Sequence, residues 1–339
     1  MEPLKIVVIA ASRDGFSALR TLAAGFPGDL PAAVCVVLHI GRHKSTLPEL
    51  MSRSGPLPAA HAADGEVLQA GRIYVAPPDR HLIVEKGRLR LSDGAPENFS
   101  RPAADPLFRS AAMAYGSEVV GVVLSGDLDD GAAGLAAIRA CGGACLVQDP
   151  QECEASSMPA AALRAVDGAA TVAGIQDMAA AIGDALRAAP LATLAKERAM
   201  KAGSQTEEEA RVAARGFVSP EELDTVGERT ALTCPECGGT LWQIKDARPH
   251  RYRCHTGHAF SAMSLEEGIV SQVERALWTA ARSVREHLVY ARERKDWAQR
   301  SGDGDSLVIE SARVARAQEL EAIMLEALRA VARTSGASG

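Results

Sequence analysis

A serine, a histidine and an aspartate each follow a short apolar run in the first 130 residues. Ser12 follows KIVVIA (5–10), His39 follows AVCVVL (33–38), and Asp130 lies in LSGDLDDG just beyond VVGVVL (119–124). A serine hydroxyl is a weak nucleophile at its free pKa. It needs a base within hydrogen-bond reach, and that base needs an orienting carboxylate. One residue of each kind at three separate strand ends can fill those roles. The same residues also have ordinary uses. Serine and aspartate at strand ends cap the next helix, and a histidine can be a hydrogen-bonded core residue. The chain lacks the G-x-S-x-G elbow, reading Ala10-Ala11-Ser12-Arg13-Asp14. This argues against the α/β-hydrolase fold.

A second constellation lies near the C-terminal third. CPECGG (234–239) supplies Cys234 and Cys237, and RCHTGH (253–258) supplies Cys254 and His258. A C-x2-C knuckle with a C-x3-H partner matches the ligand spacing of tetrahedral zinc. His255 is a rival fourth ligand, although it directly follows Cys254 and adjacent residues rarely reach one metal. A redox dithiol and an unliganded cluster are the competing readings; the C-x-x-C lacks a thioredoxin-like helix start. With four protein ligands no position stays open for water, so the expected role of zinc is structural.

The reactive residues need elements to hold them. Buried strands alternate with helical segments to about residue 190, with further strand patterns at 72–76, 81–84, 144–148 and 169–173 and a helix at 131–140. This alternation predicts a doubly wound, mostly parallel α/β sheet with helices on both faces. Ligands of such sheets sit outside the carboxyl ends of the strands, where Ser12, His39 and Asp130 fall. The predicted organisation is a catalytic domain over 1–190, a linker over 191–230 and a zinc-ribbon-like unit over 231–262. A helical hairpin follows over 263–339, broken at SGDGDS (301–306). Its predicted apolar stripes are Val270, Val273, Leu277, Ala280, Val284 and Leu288 on the first helix, and Leu320, Ile323, Ala327 and Val331 on the second.

Bulk properties narrow the function. A formal charge of −6 disfavours nucleic acid as the partner. Seven unevenly spaced cysteines in 339 residues do not form a secreted disulfide framework. They point to a reducing cytoplasm, with thiols free or on metal. No apolar run approaches the ~20 residues of a membrane-spanning helix. Direct membrane insertion is therefore not expected, and neither is a signal peptide.

The region from Lys5 to Ile175 resembles the catalytic domain of the protein-glutamate methylesterases of bacterial chemotaxis, the CheB family. The resemblance rests on ASRDG (11–15), VLHI (37–40), IYVAPPDRHL (73–82), RPAADPLFRS (101–110), SGDLDDG (125–131), the pair Gln148-Asp149 and Met158-Pro159, in that order. It implies Ser12 as nucleophile, His39 as general base and Asp130 as its orienter. It also implies hydrolysis of glutamyl methyl esters on a chemoreceptor-type partner, with glutamine deamidation by the same attack. Four positions depart from the family pattern: Arg13 for Thr, Asp14 for Gly, Asp127 for Met and Leu128 for Gly. Asp127 would oppose a developing oxyanion if it faced inward, and Arg13 could neutralise it or hold a receptor carboxylate. The family's phosphoacceptor receiver domain has no place before Lys5, so such control is expected to be absent or supplied by another chain. A methyltransferase or histidine kinase is a further expected partner. The block CPECGGTLW…YRCHTGHAFS looks like the tail of some receiver-less relatives. The rival reading is a catalytically weakened scaffold in a chemosensory-like complex.

Overall fold

The structure is a computed structural model that describes residues 4–39, 45–188, 211, 217–245 and 247–335. Most of the segment read as a linker, 191–210 and 212–216, lies outside the described residues, as do residues 40–44 after His39. The chain forms two compact units, Met1–Leu265 and Glu266–Gly339.

The first unit opens with β1 (Lys5–Ala11), α1 (Gly15–Gly25), β2 (Ala32–Leu38), α2 (Leu47–Ser54), β3 (Ala59–His61) and β4 (Arg72–Val75). The hairpin β5 (His81–Glu85) and β6 (Arg88–Ser92) comes next, then α3 (Ala104–Tyr115), β7 (Val119–Val123) and α4 (Ala132–Ala140). The alternation ends with β8 (Ala144–Gln148), α5 (Ser157–Ala165), β9 (Thr171–Ala173) and α6 (Met178–Arg187). Seven strands form one sheet in the order β3-β4-β2-β1-β7-β8-β9, and every pairing in it is parallel.

Burial on both faces explains why the strands read as unbroken apolar runs. In β1, Ile6, Val8 and Ala10 pack with α3, α4 and α5 residues such as Phe108, Leu135 and Met158. Val7, Ile9 and Ala11 pack oppositely with Leu19, Leu22, Met51 and Ile182. The sequence HLIV is a strand, but it pairs antiparallel with β6 in a separate two-stranded sheet. Helix α3 was not anticipated: Ala104 to Ala112 are all buried, so no polar face gives it a stripe.

After the undescribed segment, α7 (Pro220–Val226) starts at a capping box of Ser219 and Glu222. A four-stranded antiparallel ribbon follows: β10 (Gly227–Thr233), β11 (Thr240–Ile244), β12 (Arg251–Cys254) and β13 (Ala259–Ser261). Trp242 packs with Val218 and Leu223 in its small core.

Helix α8 (Ala262–Ser301) then runs into the second unit, where α9 (Gly304–Ser335) turns back along it. Leu288 and Ala291 pack against Val314 and Ala317. The ion pairs Arg294–Glu310 at 2.9 Å and Arg285–Glu321 at 3.0 Å fix an antiparallel pairing. The inner faces differ from the predicted stripes. Val273 and Ala280 are exposed, as are Leu320 and Ile323. The inward residues of α9 are Leu307, Glu310, Val314, Ala317, Glu321, Met324, Leu328 and Val331, a strict heptad spacing. Two of them are glutamates, which displaced a hydrophobicity-based reading onto the wrong face.

Candidate active site

The order of the sheet reverses at β1, whose neighbours β2 and β7 lie on opposite sides. The crevice at such a switch point is the usual ligand site of an open parallel sheet. Register fixes what surrounds it. Ala11 pairs with Leu38, so Ser12 and His39 leave adjacent strands side by side. The His39 amide donates to Ala11 O at 3.2 Å, and the Ser12 amide donates to Ser125 O at 3.0 Å in the loop after β7. Gly126 is required there: a Cβ would lie 2.7 Å from Ser12 Cβ and 2.3 Å from Met158 Sδ.

Asp130 is buried and accepts four hydrogen bonds. His39 Nε2 lies 2.8 Å from Oδ2. The amides of Ala104 and Asp105 donate at 2.6 and 3.2 Å, and Asn98 Nδ2 donates at 3.1 Å. Burial alone would raise this carboxyl. The hydrogen bond and charge of His39, with the Ala104 and Asn98 donors, outweigh it and hold Asp130 below the usual carboxylate range. The bond to Asp130 commits Nε2 of His39, which leaves Nδ1 as the atom to take a proton. Among the described residues the Ser12 hydroxyl makes no hydrogen bond to the ring. Such bonds often form only with substrate bound.

Neighbouring groups divide the labour. Asp105 accepts from the amides of Gly131 and Gly134 at 3.1 and 2.6 Å, which ties the start of α4 to α3. Burial, then the nearby charge of Asp130, push its carboxyl up to about 7. His81 is structural: Nε2 donates to Ala95 O at 3.0 Å and Nδ1 accepts from the Ala103 amide at 3.2 Å. Burial lowers its pKa and keeps it neutral. Gln148 accepts from the Ser125 amide at 3.0 Å and holds the loop that carries Gly126. Asn98, Asp105 and the Ala104 amide were missed as site residues. Asp105 and Ala104 stand inside RPAADPLFRS, but Asn98 sits in a polar run with no distinguishing spacing.

The departures from the family pattern have visible consequences. Asp14 and Leu128 hold φ of 60° and 63°. This is the left-handed region, where Leu128 costs on the order of 1–2 kcal/mol relative to glycine and aspartate is better tolerated. Both stand where the resemblance expects glycine. Arg13 Nη1 lies 3.5 Å from Asp127 Oδ2, with side chains 75% and 52% exposed. A pair this open contributes at most about 1 kcal/mol. Asp127→Met is expected to change turnover little, and Arg13→Thr to lower kcat/KM by at most about fivefold. A large rise with Asp127→Met in steady-state assays would show that Arg13 leaves the carboxylate unneutralised.

A model of the CheB methylesterase family matches residues 7–182. The chain belongs to this family. Within it, the chain is 42% identical over 176 residues to a protein-glutamate methylesterase/protein-glutamine glutaminase of Anaeromyxobacter dehalogenans, covering 51% of this chain and 49% of that protein. It is 39% identical over 184 residues to one of Myxococcus xanthus, covering 54% and 52%. The chain thus spans about half the length of these curated relatives. The crystal structure of the Thermotoga maritima CheB methylesterase catalytic domain superposes with a TM-score of 0.51 at 28% identity, covering 53% of this chain and 98% of that one.

The ribbon brings Cys234, Cys237, Cys254 and His258 together, with one donor atom from each lying within 4.8 Å of all the others. Cys237 Sγ is 3.7 Å from Cys254 Sγ, and Cys254 Sγ is 3.5 Å from His258 Nδ1. Zinc–sulfur and zinc–nitrogen bonds of about 2.3 and 2.05 Å give tetrahedral edges of about 3.8 and 3.6 Å, so the spacings fit. His255 instead packs its ring over Gly239. The Thr256 hydroxyl lies within 3.1 Å of Cys237 Sγ, Cys254 Sγ and His258 Nδ1. No disulfide joins any of the cysteines. Among the described residues no helix is long and apolar enough to cross a membrane.

Proposed function

We propose that the first unit is a serine esterase that hydrolyses glutamyl methyl esters on a methylated chemoreceptor or receptor-like protein. The observation that carries this reading is the position of Ser12, His39 and Asp130 at the ends of three adjacent strands, with His39 bonded to Asp130. Its similarity to protein-glutamate methylesterase/protein-glutamine glutaminases supports it.

In this mechanism Ser12 Oγ attacks the ester carbonyl while His39 Nδ1 accepts its proton. His39 returns that proton to the departing methoxide, which leaves as methanol, and Ser12 stays acylated. Water then attacks the acyl carbon while His39 takes its proton, and His39 returns that proton to Ser12 Oγ as glutamate leaves. A glutamine side chain follows the same path with ammonia as leaving group. Ser12 lies in the turn that leads into α1, two residues before its N-cap Asp14, and the positive N-terminal end of that helix favours the developing oxyanion. Asp130 holds the ring and stabilises its protonated form. A methyltransferase, a histidine kinase or a separate receiver domain would supply the signalling context. The test is methanol release from a methylated receptor by wild type and by Ser12→Ala. Equal release by both would remove the esterase reading.

The ribbon's Cys234, Cys237, Cys254 and His258 are proposed to hold one structural zinc, on the edge lengths given above. Elemental analysis is expected to find one zinc per chain. Cys237→Ser is expected to lose it and to loosen residues 227–261, seen as faster amide exchange there. Purified protein without zinc would overturn the assignment.

A further inference from the structure

The ribbon's closest polar contacts to the sheet domain converge on the surroundings of Asp130. Asn98 stands at the meeting point. Its Nδ2 donates to Asp130 Oδ1 at 3.1 Å and to Asp105 Oδ2 at 3.3 Å. Its Oδ1 accepts from the Ser261 amide at 2.9 Å and from the Ser264 hydroxyl at 3.0 Å. Two carboxylates at one end and two donors at the other leave the amide a single orientation. Reversing it would set N–H against N–H and carbonyl oxygen against carboxylate.

The backbone at Asn98 also depends on the C-terminal elements. Asn98 and Phe99 have φ of 50° and 60°; asparagine tolerates this left-handed region, but for a residue as bulky as Phe99 it persists only where the surroundings enforce it. The Asn98 amide donates to Ala259 O at 2.8 Å, and the Ala259 amide to Pro96 O at 3.4 Å. The Phe99 and Phe260 rings lie 4.9 Å apart. Glu97 bonds Arg253 of β12 at 2.7 Å, and Arg253 also donates to Gly257 O at 3.0 Å, between two candidate metal ligands. Asp129, the residue before Asp130, accepts from the hydroxyls of Ser261 and Ser264 at 2.6 and 3.2 Å.

We propose that Asn98 is a positioning residue for Asp130, and that Ser261 and Ser264 set its aim, so that the C-terminal ribbon completes the hydrolytic site. The proposal rests on the esterase reading. It makes the ribbon a condition of turnover rather than an attached module. It also places the first turn of α8 on the loop that presents the triad aspartate.

The test uses the full chain and compares wild type, Asn98→Ala and Ser264→Ala. Two readouts are taken: kcat and KM for methanol release, and, with ¹⁵N-labelled histidine, the proton resonance of the His39–Asp130 hydrogen bond. Asn98→Ala is expected to lose on the order of tenfold or more in kcat with KM nearly unchanged, the effect of removing one hydrogen bond to a buried charge. Ser264→Ala is expected to act in the same direction and less strongly, with the His39 resonance displaced in both. A folded Asn98→Ala with wild-type kcat and an unmoved resonance would overturn the proposal. If Asn98→Ala does not fold, Ser264→Ala decides by the same criteria. If wild type releases no more methanol than Ser12→Ala, the esterase reading fails by itself, and the resonance alone then decides whether Asn98 positions Asp130.

Discussion

Ser12→Ala is expected to lower methyl ester turnover by about 10³-fold or more, and His39→Ala by a similar factor. The double variant is expected to add little to either. The reason is the division of roles at the three strand ends. In the proposed mechanism no acyl intermediate forms without Ser12, so an intact His39–Asp130 pair has nothing to deprotonate. Without His39 the hydroxyl stays protonated, whatever the geometry of Asp130. Residues that act as one unit do not contribute separable energies. KM should change much less than kcat, because neither residue holds the remote part of a protein substrate. Methanol release under saturating receptor for the two single variants and the double gives the comparison. Fully multiplicative losses would show that Ser12 and His39 work in different steps.

The second large effect concerns stability. Glu97 is buried and bonds Arg109 at 2.5 Å and Arg253 at 2.7 Å, both of them buried as well. Removing the acid takes the closest carboxylate from two buried guanidinium charges; Arg109 keeps Asp105 at 4.0 Å and Arg253 keeps Gly257 O at 3.0 Å. Glu97→Ala is expected to cost about 3–5 kcal/mol, the usual penalty for breaking a buried ionic cluster from one side. The pH dependence has a definite sign. Burial alone would raise the Glu97 carboxyl, but Arg109 and then Arg253 outweigh it and hold it well below the usual range. A carboxyl depressed in the folded state stabilises fully above its unfolded pKa of about 4.3, and that contribution fades as pH falls below it. Urea midpoints of wild type should therefore drop as the solution is acidified from about pH 5 toward pH 3. Glu97→Gln, which lacks the titrating group, should start lower and fall less steeply. Parallel curves for the two proteins would show that Glu97 does not carry the acid sensitivity.

How much of this was legible in the sequence depends on the range of each interaction. Strands β1, β2 and β7 were readable because both faces of the sheet are covered, so each is a local apolar run. Their adjacency was not readable, since strand order depends on which helix covers which face. Ser12, His39 and Asp130 were singled out by their places after those runs and by the family blocks around them, and the structure sets them at neighbouring strand ends. Asn98 could not: ENFS has no periodicity, and the partners that aim its amide lie more than 160 residues away. The Glu97–Arg109–Arg253 cluster is hidden for the same reason. Helix α3 escaped detection because a helix buried all round has no polar face to mark its period. The cysteine spacing pointed to the Cys/His cluster that the antiparallel sheet gathers, whereas the first strand of that sheet, GERTALT, is mostly exposed and carries little apolar pattern.

The glutamates on the inner face of the hairpin bear on how it chooses its alignment. Apolar heptads alone permit a helix to slide by seven residues, about 10.5 Å, and still bury leucine and alanine. Here Glu310 is 2% exposed and is met by Arg294 across the seam and by Arg313 on its own helix. A seven-residue slip would carry Glu310 out of reach of Arg294, and Glu321 out of reach of Arg285. Glu310 would keep Arg313 on its own helix but lose the charge that meets it across the seam. Charge thus favours the observed alignment of α8 and α9 over slipped ones that hydrophobicity alone would tolerate.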